Sequence, residues 1–180
     1  MIQLRDKAQS LRYLYEEATA IRRLCREHEA LFIVNDRLDL ALAVSADGVH
    51  LGQDDLPPHV ARPLLRPGMI LGISTHSLEE ARVAEAAGAD YIGFGPVFPT
   101  GTKTGTRPVV GVDGIRDVRT AVRVPVLAIG GITLDRVPEI MAAGAHGVAV
   151  ISAIVASGEI ALASRQFLAQ LNGNTGGEGR

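Results

Sequence analysis

Two aspartates lie just after apolar segments of the sequence. One residue separates Asp36 from the run "LFIV", and Asp55 follows "GVHLG" with Asp54 directly before it. Carboxylate oxygens are ligands that Mg²⁺ takes from proteins, often only one or two of them, with phosphate and water completing its shell. The pattern therefore predicts a magnesium and phosphate site. A helix-capping role for each aspartate fits equally well, and the spacing does not choose between Asp54 and Asp55.

Polar side chains alternate with apolar ones in the segment "MIQLRDK". If this segment is a strand, Gln3, Arg5 and Lys7 share one face, and Ile2 and Leu4 pack outward against helices. Three polar side chains that face a protein interior are costly unless they meet a ligand. The pattern favours a strand that binds an anion; the alternative is an exposed terminal arm.

The segment 96–108 is long for a connection between a strand and a helix, and it is rich in Thr and Gly. Thr100 and Thr102 can donate hydroxyl hydrogen bonds to a phosphate, and Lys103 adds a positive charge. We interpret the segment as a loop that closes over a substrate, the alternative being a tolerated insertion.

Small residues stand where two later strands meet the next helix, in "AIGGIT" and "VISAI". Barrels of alternating strands and helices commonly hold a phosphate on backbone N–H groups of their last two loops. We therefore predict a phosphate site in these two loops, at Gly130 and Gly131 and at Ile151 and Ser152. The alternative is that Gly130 and Gly131 only form a tight turn.

Other residue types offer little catalytic chemistry. The five histidines have no metal-ligand spacing, and His50 and His76 are expected to be structural. The single Cys25 excludes an internal disulfide and a cysteine metal cluster, and it is expected to fill the core.

The elements that must position these residues follow from the alternation of short apolar runs with helix-period segments. Such alternation predicts an α/β fold with a parallel sheet. Continuous apolar runs such as "VLAIG" and "GVAVI" indicate strands covered on both faces. The expected strands are residues 2–5, 31–34, 49–51, 70–74, 91–94, 126–129 and 148–151, with helices that include 11–27, 78–87 and 134–143.

The seven predicted units fall short of a closed barrel. A TIM (β/α)8-type barrel has eight units, and roughly 30 residues make one unit. We expect that barrel class with only about seven units, the N-terminal strand and helix being absent, whereas an open doubly wound sheet is the alternative. Three helix-to-strand joints repeat one phrase, "AVSADGVHL", "EAAGADYIGF" and "MAAGAHGVAV", in which Gly fits the left-handed end of a helix.

Composition narrows the classes of partner. The 180 residues carry a net charge of −2, without a basic cluster, which argues against nucleic acid and anionic membranes. No apolar run reaches the ~18 residues of a membrane span, and no signal peptide is recognisable, so a cytoplasmic protein is expected. We predict one domain over 1–171 and a disordered tail over 172–180. Exposed strand edges make a homodimer possible.

Six motifs, in order along nearly the whole chain, resemble thiamine phosphate synthases. They are "QLRDK", "NDRLDLALAVSADGVHLGQDDLP", "LGISTHSLEEA", "GADYIGFGPVFPTGTKTG", "VPVLAIGGIT" and "GVAVISAI". The resemblance implies a (β/α)8 barrel and a Mg²⁺-dependent transferase of thiamine biosynthesis. That transferase joins hydroxymethylpyrimidine diphosphate to a thiazole phosphate, with or without a carboxylate, and gives thiamine phosphate and diphosphate.

The resemblance also implies roles for individual residues. Asp36 and Asp55 would hold Mg²⁺, with Arg5, Lys7, Ser74 and Lys103 as the catalytic residues. The pyrimidine diphosphate would be bound by Gln3, Arg5, Lys7, Asn35, Ser74 and Lys103. The thiazole phosphate would be bound by Thr100, Thr102, Gly131, Ile151 and Ser152.

The implied reaction begins with ionisation of the pyrimidine diphosphate, and the thiazole nitrogen then attacks the resulting cation. This needs charge neutralisation and positioning rather than a general base, so the absence of a catalytic His or Cys is expected. Two alternatives are a thiazole tautomerase, which would have His where Pro96 stands, and a non-catalytic ligand-binding remnant.

Overall fold

Strands and helices alternate along the chain in this computed structural model, which describes residues 1–101 and 108–173. The strands are β1 (Ile2–Leu4), β2 (Phe32–Asn35), β3 (Gly48–Leu51), β4 (Ile70–Thr75), β5 (Tyr91–Phe94), β6 (Val126–Ile129) and β7 (Gly147–Ala149). The helices are α1 (Leu11–Glu27), α2 (Leu38–Ala43), α3 (Pro58–Leu64), α4 (Leu78–Ala86), α5 (Gly111–Ala121), α6 (Val137–Ala142), α7 (Ser152–Val155) and α8 (Ile160–Gly173), with a 3₁₀ turn at Leu134–Arg136.

The chain forms two compact units, one of residues 1–74 and 86–90 and the other of residues 75–85 and 91–180. In the first unit β1, β2, β3 and β4 pair in parallel in that order. In the second unit β5, β6 and β7 pair in parallel in that order. The α/β class predicted from the sequence, with seven strands, is confirmed.

The first unit buries the middle strands of its sheet completely. Every residue of β2 and β3 is buried, and Phe32, Ile33 and Leu51 are among the largest side chains of the core. Helix α1 begins after Ser10, whose hydroxyl accepts a hydrogen bond from the backbone N–H of Tyr13 at 3.3 Å. Cys25 is buried on this helix, and burial raises the pKa of its thiol, in keeping with the expected core position.

Strand β1 differs from its prediction. The strand ends at Leu4, so Arg5 and Lys7 lie beyond it, and Ile2 is 50% exposed rather than packed against helices. The reason is that β1 is the end strand of the sheet in the first unit and pairs there with β2 alone.

The second unit corrects three further expectations. The strands β6 and β7 are not covered on both faces as expected: in β6 only alternate residues are buried, and in β7 only Gly147 is. Leu127 pairs with Gly147, which brings no side chain to cover it. The predicted helix 134–143 divides into the 3₁₀ turn and α6, since Pro138 stands in the first turn of α6. Helix α8 continues through Gly173, so residues 172 and 173 of the predicted tail are helical. The remainder of that tail, 174–180, lies outside the described residues.

The repeated joints share one backbone conformation. Ser45, Gly88 and Gly144 have φ of 53°, 85° and 97°, the left-handed geometry predicted for this position. Each joint therefore turns the chain from a helix back to the next strand in the same way.

The polar residue of each joint makes a second repeated contact. Asp47 accepts a hydrogen bond from the backbone N–H of Phe32 at 2.8 Å, and Asp90 accepts one from Leu71 at 2.7 Å. His146 Nδ1 likewise accepts a hydrogen bond from the backbone N–H of Val126 at 3.0 Å. Each contact satisfies an N–H at the beginning of the preceding strand.

None of the helices that the structure describes has the length and apolar character needed to cross a membrane.

Candidate functional site

The first unit places three predicted site residues together beyond its strands. Lys7 Nζ lies 2.8 Å from Asp36 Oδ2, and Asp36 shares a hydrogen bond with Asp55. Asp55 is oriented by the backbone N–H of Gly52, which donates to its Oδ2 at 2.6 Å. Asp55, the aspartate that the resemblance implies for Mg²⁺, is thus the one for which a hydrogen bond with Asp36 is found.

Asp36 has an unusual backbone. Its φ is 62°, which is uncommon for a residue other than glycine, although Asp tolerates it better than most. Its N–H donates to the carbonyl of His50 at 2.8 Å, and the N–H of Arg37 donates back to Asn35 at 2.7 Å. The neighbouring strand thus holds Asp36 in a conformation that proteins often reserve for functional positions.

The two aspartates influence each other's ionisation. Burial and then the Asp36 carboxylate raise the pKa of Asp55. Burial alone would also raise the pKa of Asp36, but hydrogen bonds with Lys7 and Asp55 and the charge of Arg5 outweigh it, so the pKa of Asp36 is lowered. Two carboxylates this close resist being ionised together unless a cation joins them. Their oxygen donors therefore fit a hard divalent cation such as Mg²⁺.

Arg5 offers a donor that the protein does not use. Its Nε is buried and has no hydrogen-bond partner among the described residues. A buried N–H left without a partner costs about 1–3 kcal/mol. An anionic ligand would satisfy it, and a diphosphate fits a guanidinium well.

Ser74 lies at the end of β4, where two side chains of the preceding segment reach it. His50 Nε2 and Ser74 Oγ are 2.8 Å apart, and Gln53 Nε2 donates to the carbonyl of Ser74 at 2.6 Å. Asn35, paired in register with His50, is buried like Ser74. His50 and Gln53 were not among the predicted site residues. Their position at a strand end was the only available signal.

Gln3 is an exposed residue of β1, paired in register with Ile33. Within residues 1–101 and 108–173, no hydrogen bond joins Gln3 to Lys7, Asp36 or Asp55. Lys103 and Thr102, also predicted site residues, lie outside the described residues.

The second unit contains a cavity of about 560 Å³. Three of the predicted phosphate-binding residues line it, namely Thr100, Gly131 and Ser152. Ile151 is not one of its lining residues, and its side chain is 47% exposed. The other lining residues are Pro99, Gly101, Ile132, Thr133, Arg136 and Ala153.

Gly131 is required by the backbone at this cavity. Its φ is 66°, and a Cβ there would lie 2.5 Å from the carbonyl oxygen of Pro99. The tight turn considered from the sequence is therefore real, and the same turn brings the Gly131 backbone to the cavity wall.

Arg136 is a lining residue that the sequence did not single out. Its Nη1 donates to the carbonyl of Gly131 at 2.7 Å, and its guanidinium lies 4.1 Å from the ring centroid of Phe98. The only sequence signal for Arg136 was a basic residue five positions after a Gly-Gly turn. This pattern is too common to identify a binding residue.

Comparison with known sequences gives a consistent family. A family model described as thiamine monophosphate synthase matches residues 1–154. The thiamine-phosphate synthase of Methanospirillum hungatei is 56% identical over 167 residues, covering 93% of this chain and 81% of that protein. That of Moorella thermoacetica is 52% identical over 166 residues, covering 92% of this chain and 79% of that protein.

Solved structures agree with the sequence comparison. The structure described as thiamine phosphate pyrophosphorylase from Pyrococcus furiosus has a TM-score of 0.90 to this chain at 43% identity, over 97% of this chain and 83% of that one. This match confirms the predicted fold class, an α/β fold of the TIM-barrel type. Together these matches show that the chain belongs to the thiamine monophosphate synthase family.

Proposed function

We propose that this chain joins hydroxymethylpyrimidine diphosphate to a thiazole phosphate to form thiamine phosphate and diphosphate. Its family membership makes it a transferase of thiamine biosynthesis. The observation that carries the assignment of the site is the Asp36–Asp55 carboxylate pair with Lys7 at 2.8 Å from Asp36. Such a group suits a substrate whose reaction releases a multiply charged diphosphate.

The bond that breaks joins the pyrimidinyl-methyl carbon to the diphosphate oxygen, and its electron pair leaves with the diphosphate. The bond that forms joins the same carbon to the thiazole nitrogen, which supplies its own lone pair. Neither redox change nor a protein nucleophile is needed. The protein's task is to neutralise the leaving group and to hold the two substrates in an attacking geometry.

Within the first unit, Arg5 and Lys7 supply the positive charge for the leaving diphosphate. Arg5 contributes the buried Nε, which has no hydrogen-bond partner among the described residues. Lys7 contributes an ammonium group on a side chain that is 63% exposed and can turn towards a ligand. Ser74, positioned by His50 and Gln53, would bind the pyrimidine diphosphate with Gln3 and Asn35. Lys103 is proposed for the same substrate on the family motif alone.

Asp36 and Asp55 would hold Mg²⁺, and that ion would supply Lewis-acid stabilisation of the diphosphate. The coupling between the two carboxylates supports this role, because a divalent cation relieves their repulsion. Lys7 already contacts Asp36, so its ammonium would compete with the metal for that carboxylate.

Within the second unit, the cavity lined by Thr100, Gly131 and Ser152 would take the thiazole phosphate. Two hydroxyls and a backbone turn with exposed peptide groups suit a phosphate oxygen. Thr102 and Ile151 are proposed for the same substrate from the family motifs.

The tautomerase alternative gains no support. The matched relatives are named thiamine-phosphate synthases, and Pro96 occupies the position where a catalytic His was expected for a tautomerase. A non-catalytic remnant is not favoured by any contact of the site residues.

The test is to incubate the purified chain with both phosphorylated substrates and Mg²⁺ and to measure thiamine phosphate by chromatography. Diphosphate should appear in equal amount. A folded preparation that forms no thiamine phosphate at millimolar Mg²⁺ contradicts the proposal. A parallel assay of thiazole isomerisation distinguishes the tautomerase.

The cellular location and the oligomeric state of the chain are also proposals. A cytoplasmic location fits the lone, buried Cys25. A homodimer fits the exposed end strand β1, and light scattering of the purified chain measures it directly.

A further inference from the structure

Arg136 is the only charged side chain among the described residues that line the 560 Å³ cavity. The predicted ligands of the thiazole phosphate contain hydroxyls and peptide groups but no cation. A phosphate monoester carries between one and two negative charges near pH 7. Neutral donors alone would leave most of that charge uncompensated in the cavity.

The guanidinium of Arg136 is held from two directions by neutral groups. Nη1 donates to the carbonyl of Gly131 at 2.7 Å, and one face lies over the Phe98 ring at 4.1 Å. Both contacts fix the plane of the guanidinium without neutralising its charge. The contact with Phe98 is a cation–π interaction.

No carboxylate within the described ranges forms an ion pair with Arg136. The neighbouring Asp135 is exposed, and its pKa is lowered first by a hydrogen bond with Thr133 and only last by the charge of Arg136. The positive charge of Arg136 is therefore available to a ligand. Its Nε and Nη2 also have no acceptor in the part of the chain that the structure describes. This edge of the guanidinium can therefore donate two hydrogen bonds to a phosphate.

We propose that Arg136 binds the phosphate of the thiazole substrate and that Phe98 and the Gly131 carbonyl orient it for this contact. The inference rests on the proposed function of the cavity and adds the cation that the predicted ligand set lacks. It assigns the specificity for a phosphorylated over an unphosphorylated thiazole to this one side chain.

A purely structural role for Arg136 is the competing explanation, because the same hydrogen bond ties the 3₁₀ turn to the Gly131 turn. The two roles differ in how they treat the substrate's phosphate. A lost phosphate contact weakens only the phosphorylated thiazole, whereas a distorted cavity weakens the phosphorylated and unphosphorylated forms alike.

The experiment compares the wild-type chain with Arg136→Gln, Arg136→Lys and Phe98→Leu, using thiazole phosphate and the unphosphorylated hydroxyethylthiazole as acceptors. We expect Arg136→Gln to raise KM for thiazole phosphate about 10- to 100-fold, the range for a hydrogen bond to a charged group. The kcat/KM for unphosphorylated thiazole and the KM for pyrimidine diphosphate should change less than about threefold. Arg136→Lys should recover part of the loss, and Phe98→Leu should show a smaller loss of the same kind.

Equal losses for the two thiazoles, or an unchanged KM for thiazole phosphate, would overturn the inference. Thermal melting followed by circular dichroism shows whether each variant folds. Calorimetric titration with thiazole phosphate, in the presence of Mg²⁺ and diphosphate, gives a second measurement that does not need turnover. If the wild-type chain binds thiazole phosphate through Arg136 but makes no thiamine phosphate, the proposed function fails and the inference stands.

Discussion

Lys7 Nζ lies 2.8 Å from Asp36 Oδ2, so an ammonium group occupies one oxygen of a carboxylate that we assign to Mg²⁺. The Lys7 side chain is 63% exposed, whereas that of Asp36 is 18% exposed. Because the Lys7 side chain is mostly exposed, its ammonium can turn from this carboxylate towards a ligand. We therefore expect Lys7 to pair with Asp36 in the absence of substrate and with the diphosphate in its presence.

Replacing Lys7 should therefore have opposite effects on metal binding and on activity. We expect Lys7→Met to bind Mn²⁺ up to about fivefold more tightly in the absence of diphosphate, since no ammonium competes for Asp36. Turnover should fall because a contact to the leaving group is lost. Electron paramagnetic resonance of Mn²⁺ measures the first effect, and Lys7→Arg is the matched control. Weaker Mn²⁺ binding in Lys7→Met would contradict the competition.

Substitution of Asp36, Asp54 and Asp55, one at a time, tests the metal assignment directly. We expect Asp36→Asn and Asp55→Asn each to lower kcat/KM at least 10- to 100-fold, the range known for groups that only support a metal ligand. Higher Mg²⁺ concentration should restore part of the activity. Asp54→Asn is the control next in sequence and should stay within about threefold of the wild type, a change of under 1 kcal/mol. A loss in Asp54→Asn as large as in Asp55→Asn would show that the wrong carboxylate was assigned.

His146 should make the stability of the chain dependent on pH. Burial, and secondarily the charge of Arg119, lowers the pKa of His146 below its usual value of 6.5. The unfolded chain then binds the proton more readily than the folded chain, so stability is complete above pH 6.5 and falls as the pH decreases through the folded pKa. Protonation would also break the hydrogen bond that Nδ1 accepts from Val126.

His146→Asp tests this cause, since aspartate performs the same task at Asp47 and Asp90. Urea unfolding at pH 7.5 and pH 5.5 should show a smaller decrease for the variant than for the wild type. An identical decrease in both would place the pH dependence elsewhere.

Gly131 should tolerate no side chain. Gly131→Ala would place a Cβ 2.5 Å from the Pro99 carbonyl oxygen, at a residue whose φ is 66°. We therefore expect the free energy of unfolding to fall by more than about 2 kcal/mol. The KM for thiazole phosphate should also rise. Gly158→Ala is the matched control, because Gly158 has a φ of 74° but nothing within 4 Å of the added Cβ. Its free energy of unfolding should fall by only roughly 1–2 kcal/mol, the cost of the left-handed conformation for alanine. Similar unfolding midpoints for the two variants would show that the close approach to Pro99 costs nothing.

Much of the fold follows from local sequence. The bounds of α1, β5 and β6 are those expected from hydrophobic periodicity, because each element is marked by a strong pattern and a clear end. The left-handed joints at Gly88 and Gly144 were also predictable, since glycine is the residue best suited to that conformation. Strand β1 was predicted too long because sequence alternation does not reveal that β1 is an end strand of the first unit and pairs there with β2 alone.

The candidate site was less accessible to sequence reasoning. Spacing alone left Asp54 and Asp55 open, and Asp55 was chosen through the family motif. Its hydrogen bond to Asp36, nineteen positions away in the sequence, could not be predicted from local spacing. The role of Arg136 depends on Phe98, which belongs to a different loop. Residues that act through contacts between distant segments become visible only when the strands have placed those segments side by side.

The hydrogen bonds of Asp47, Asp90 and His146 have a consequence for how the chain folds. Each joins the beginning of one strand to the joint before the next strand, across separations of 15, 19 and 20 residues. Contacts of such short range close small loops, which costs little entropy and favours rapid folding. Each joint thereby fixes the start of the strand before it through a contact carried within a single repeat, so each repeat can form this contact as soon as its own residues have been synthesised.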